Sequence, residues 1–102
     1  MNSIKQPGDC TDMTEVREGV DQTDRELVAL LARRFGYMRA AARIKPSREV
    51  VRDEARKAAV IRHAADKAAA AGLPRAEIAD IWDRLVEASI AYEMVEWDRI
   101  RS

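Results

Sequence analysis

The sequence has almost none of the residues from which many catalytic centres are built. Of its 102 residues, Cys10 is the only cysteine and His63 the only histidine. A single cysteine excludes an intrachain disulfide, and one of each argues against a Cys/His metal cluster. A Cys10–His63 nucleophilic pair would have no visible third group to orient it. Aromatic residues make up 5% of the chain, with four glycines and three prolines, a composition that points away from turn-rich β architectures. No run of about 18 apolar residues occurs, and the polar start MNSIKQPGDC lacks a signal-peptide core, so neither membrane spanning nor export is expected.

What is present is a helical, charge-rich chain: 47% hydrophobic and 35% charged residues. Its length predicts one domain, residues 11–102 after a tail of residues 1–10, with too small a core to be generous on its own; help from a second subunit would be unsurprising. A cytoplasmic location is expected. The formal net charge of zero hides a segregation, because residues 33–62 hold ten Lys/Arg against three Asp/Glu while the flanking segments are acidic. Such a block can serve nucleic acid, an acidic small molecule or plain solvation, and the neutral total weakens the first.

Periodicity predicts three helices and no strands. Asp12 and Glu15 have the spacing of a capping box, and apolar residues recur at helical intervals from Val16 to Ala41 with no proline before Pro46. At about 1.5 Å per residue that helix would exceed about 45 Å, longer than a compact chain of this size is wide. Ser47 is expected to cap a second helix starting near Arg48 and ending at Gly72. Pro74 then opens a third, with Ile78, Trp82, Leu85, Ser89, Glu93, Trp97 and Ile100 on one stripe.

Polar residues interrupt these apolar stripes. Alternating steps of four and three along the first helix place Arg17, Asp24, Arg34 and Lys45 among Val20, Leu27, Leu31 and Met38, and the third helix sets Ser89 and Glu93 between aromatic and aliphatic neighbours. Charges there are costly unless paired. Two readings stay open: internal pairing, such as Arg34 with Glu93 and Arg17 with Asp24, or an anion pocket in which Arg34 and Lys45 neutralise carboxylates while Ser89 and Glu93 read hydroxyl or ether oxygens. Arg17 and Arg34 stand about 25 Å apart on one helix, so a pocket using both needs Arg17 from a second chain; Arg34 and Lys45, about 16 Å apart, can bracket one elongated ligand.

The segments TDMTEVREGVDQTDRELVALLARR, RIK, VRDEAR and IWDRLVEASIAYE resemble the all-helical chorismate mutase family, whose close relatives include the isochorismate pyruvate lyases. The resemblance covers residues 10–98 and implies an all-α fold, with three helices per chain in an intertwined homodimer whose active sites use both subunits. It further implies a dianionic small-molecule substrate, no cofactor and no metal. Arg34 would bind one substrate carboxylate and Arg17 of the partner chain the other, while Lys45 would donate to a carboxylate and to the ether oxygen. Arg56 would be a further pocket arginine, Asp53 would contact the ring hydroxyl, and Ser89 and Glu93 would be the third-helix contacts, with Lys45, Glu93 and Arg34 carrying catalysis.

Two positions depart from the commonest family pattern. Glu93 stands where glutamine is frequent; to donate to an ether oxygen it must carry a proton, so activity should fall as pH rises. Lys57 stands where mutases often place a glutamate that binds the ring hydroxyl. The resemblance therefore implies a chorismate mutase forming prephenate, favoured by Asp53 and Ser89, with isochorismate pyruvate lyase, giving salicylate and pyruvate, as the alternative. A nucleic-acid binder using residues 33–62 would need Arg34 and Lys45 exposed, whereas the stripe turns them inward.

Overall fold

The computed structural model describes residues 4–102, and three α-helices account for most of them: α1 (Met13–Ile44), α2 (Glu54–Ala70) and α3 (Arg75–Arg101). No strand occurs among the described residues, in agreement with the all-α expectation. Two compact units are formed, one ending at Gly36 and the other spanning Tyr37–Ser102.

The first unit holds residues 4–10, which include a 3₁₀ turn at Pro7–Asp9, and most of α1. Asp12 caps α1, its Oδ1 accepting from Glu15 N at 2.8 Å. The return bond of the expected box lands one residue early, with Thr11 N donating to Glu15 Oε1 at 2.8 Å. Lys5 also pairs with Glu15 at 2.5 Å, and these donors, the Lys5 ammonium foremost, pull the Glu15 carboxyl down to about 2. Beyond the cap, α1 has little cover: of its 32 residues only Ala42 is buried, while Met13, Val20, Leu27, Val28 and Leu30 are each more than half exposed.

The second unit is built on an αα-hairpin of α2 and α3. Ala65 and Ala68 of α2 and Val86 of α3 are buried, the small alanine side chains permitting close approach. Gly72 ends α2 as expected. At φ +78° it adopts the left-handed conformation that glycine takes without Cβ strain, and Leu73 N donates to Ala68 O at 2.8 Å while Gly72 N donates to Ala69 O at 3.1 Å, the paired bonds of a Schellman cap.

The start of α2 differs from the sequence expectation. Residues Arg48–Val50 form a 3₁₀ turn, Ser47 makes no side-chain cap bond, and α2 begins at Glu54. Asp53 is the cap, its Oδ1 accepting from Arg56 N at 2.9 Å. The later start suits Val51, which is 3% exposed and turns into the core on the irregular segment. No described helix is long and apolar enough to cross a membrane.

Candidate active site

In the second unit, Lys45 follows the end of α1 because Pro46 cannot continue the helix: it has no N–H and disfavours helical geometry in the residue before it. Glu93 lies on α3, with Ser89 one turn earlier; both are 3% exposed. Lys45 Nζ reaches Glu93 Oε2 at 2.7 Å. The contact has the distance of an ion pair but lacks hydrogen-bond geometry, so this buried oxygen is compensated in charge without accepting a hydrogen bond. Lys45 Nζ also donates to Val51 O at 3.4 Å, and Ser89 Oγ donates to Leu85 O at 2.7 Å. A cation and a carboxyl thus meet beside the irregular segment, with a buried hydroxyl one turn away along α3, in a setting where charge is less screened than on the open surface.

That segment is tied to α3 on both sides. Arg48 Nε donates to Asp98 Oδ1 at 2.9 Å, and Arg52 grips Glu87 through two bonds of 2.7 and 3.1 Å. Lys57 reaches Glu87 at 2.8 Å and Asp83 at 3.1 Å. Arg52 first, then Lys57, hold the Glu87 carboxyl down at about 2, and Glu87 in turn raises the Lys57 ammonium. Arg48 and Arg52 are exposed yet engaged.

Of the residues singled out in the sequence, Lys45 and Glu93 are brought into contact, and Ser89 is buried on the same stretch of α3. Asp53 and Arg56 are exposed at the start of α2, the Asp53 carboxylate serving there as helix cap. In the first unit Arg34 is half-buried and Arg17 exposed on α1. His63 is exposed and Cys10 half-buried. A groove of about 840 Å³ between residues 4–10 and the early turns of α1 is lined by Lys5, Asp24 and Glu26 among others; more acidic than basic, it does not suit a dianion. Sequence reasoning did not find the Val51 carbonyl, or Trp97 and Arg101, which donate to the Lys45 carbonyl. Backbone acceptors leave no mark in a residue pattern, and the stripe that holds Trp97 does not show that its indole N–H has a carbonyl to meet.

Residues 16–94 match the chorismate mutase type II family. An isochorismate pyruvate lyase from Pseudomonas aeruginosa is 31% identical over 98 residues, covering 96% of this chain and 97% of that protein. The all-helical fold, the family match over most of the length and the identity to this relative lead to one assignment: the chain belongs to the chorismate mutase type II family.

Proposed function

We propose that the protein is a chorismate mutase, converting chorismate to prephenate in a cationic pocket shared by the subunits of a homodimer. The observation that carries this reading is the Lys45–Glu93 pair, 2.7 Å apart and beside the buried Ser89. The rearrangement is concerted, so it needs no nucleophile. What it needs is restraint of a flexible dianion in its compact reactive shape, and positive charge or a hydrogen-bond donor where charge develops on the ether oxygen. In the free chain Glu93 is the carboxylate partner of Lys45; in the substrate complex it gives up that pairing and takes a proton from solvent, so that Lys45 supplies the cation, Glu93 the donor and Ser89 a hydroxyl. Arg34 neutralises one substrate carboxylate and Arg17 of the partner the other, while Arg56 and Asp53 approach from the start of α2.

The homodimer is supported by the apolar residues that α1 leaves exposed, notably Val20, Leu27 and Leu31. A row of this kind on one helix face commonly marks an association surface. Shared sites predict complementation: chains carrying Arg17→Ala mixed with chains carrying Arg34→Ala should regain activity, because one of the two hybrid sites collects both defects and the other neither. Silence in confirmed heterodimers would refute the geometry.

Isochorismate pyruvate lyase is the second reading, favoured by the named relative and by Lys57. That lysine is engaged by Glu87 and Asp83, and it leaves no carboxylate at its own position to read a ring hydroxyl. The deciding experiment offers chorismate and isochorismate separately and identifies products by NMR. Prephenate from chorismate is the expected result; salicylate and pyruvate from isochorismate, with chorismate untouched, would assign the lyase.

A further inference from the structure

The end of α1 carries a difficulty that begins with Pro46. In a continuing helix the N–H of residue 46 would bond to the Ala42 carbonyl, and proline has none. Ala42 is 0% exposed, so water is poorly placed to supply the missing donor, and an unpaired carbonyl there would be costly. Arg101, in the last turn of α3, meets the need: its Nη1 donates to Ala42 O at 3.0 Å and its Nη2 to Lys45 O, also at 3.0 Å. Trp97 Nε1 donates to the same Lys45 carbonyl at 3.2 Å. The guanidinium lies 4.1 Å from the centre of the Trp97 ring, where the ring's negative face favours a cation. A positive charge at this end of α1 also complements the helix dipole.

Ser89, Glu93, Trp97 and Arg101 follow one another at steps of four, forming one row along α3. The upper members of the row grip the Lys45 backbone, and Glu93 meets its ammonium. We propose that Arg101 is a positioning residue for Lys45: without touching substrate, it ties the terminal turn of α1 to α3, so that the ammonium is presented at a fixed place over Glu93 and Ser89. This rests on the reading of Lys45 as the cation that meets the substrate. A cap with a purely structural role would change the stability of the folded chain but not the turnover of the part that remains folded.

The test compares Arg101→Ala and Arg101→Lys with Arg99→Ala, a control on the same turn whose guanidinium pairs with Glu96 at the surface. For whichever of chorismate or isochorismate the wild type converts, kcat and KM are measured well below each variant's melting temperature. Loosening the lysine should lower kcat about tenfold in Arg101→Ala, with KM changing less, since misplacement by an ångström can cost about a hundredfold. Arg101→Lys should recover part of the loss, because an ammonium reaches one carbonyl where the guanidinium fork reaches both. Ethylguanidinium added to Arg101→Ala should raise kcat. Amide hydrogen exchange should quicken at Lys45 in Arg101→Ala and stay as in wild type in Arg99→Ala. An unchanged kcat in Arg101→Ala, or an equal loss in Arg99→Ala, would overturn the positioning role while leaving the functional reading intact. A wild-type chain inactive on both substrates would overturn the reading of Lys45 itself, and unchanged exchange at Lys45 would overturn the tie independently of activity.

Discussion

Replacing Lys45 by methionine removes the charge while keeping most of the side chain's apolar stem. It strands the Glu93 carboxylate, which is 3% exposed and has the Lys45 ammonium 2.7 Å away as its ionic partner. Breaking a fully buried pair in this way costs about 3–5 kcal/mol. The Lys45 side chain is 30% exposed, so the pair is partly screened by water, and about 2 kcal/mol is the expected loss. For a chain of this size that corresponds to a fall in Tm of about 10 °C. The reverse truncation is milder: Glu93→Gln leaves a lysine that can reach water and Val51 O, for about 1 kcal/mol or less. Combining the two should recover about 1 kcal/mol relative to Lys45→Met, because the stranded charge becomes a neutral amide of the same shape. Urea unfolding of all four proteins at one fixed protein concentration measures the cycle, association being held constant. A Lys45→Met chain within about 0.5 kcal/mol of wild type, or a double variant no more stable than Lys45→Met, would refute the claim that this pair is electrostatically coupled in a poorly solvated site.

Three further outcomes are expected. The Glu87 carboxyl titrates at about 2 in the folded chain against an ordinary 4.5. A depressed folded value means that its contribution is complete above about 4.5 and is lost as pH falls toward 2. Glu87→Gln should therefore lower Tm near neutrality and converge on wild type near pH 2; a constant offset across that range would contradict the network. Asp53→Ala should cost about 1 kcal/mol through loss of the α2 cap. Asp53→Asn should keep the cap, so that any change in its kcat/KM reports contact with substrate and an unchanged value excludes it. Gly72→Ala should destabilise by about 1 kcal/mol because of the left-handed backbone at that position, and equal urea midpoints would remove that explanation.

Much of the fold was legible in the sequence because its signals are local. Asp12 and Glu15 announce a helix start, Pro46 a break, Gly72 a left-handed stop and Pro74 a new start, and each acts through its own backbone within a few residues. The start of α2 was misjudged because two local signals competed. Ser47 and Asp53 are both good caps, and the choice went to Asp53 once Val51 had to be buried, a matter of tertiary packing. The polar residues on the apolar stripes were equally legible as an anomaly, but their pairing was not: periodicity did not single out Lys45 as a neighbour of Glu93, and the folded chain brings the two together.

The sequence by itself determined the helical class, the positions of the breaks, the shortage of residues for nucleophilic or metal chemistry, and the presence of cations and carboxyls on faces that should be apolar. These follow from propensity, capping and the 3.6-residue period, which act along the chain. Only the tertiary structure decided that Lys45 meets Glu93, that Asp53 spends its carboxylate on a helix cap, that Lys57 is held by Glu87 and Asp83, and that Arg101 answers the carbonyl left bare by Pro46. Those pairings join residues up to 59 positions apart. They depend on how the helices cross and on which buried polar groups must be satisfied, and no short-range pattern in a sequence encodes either.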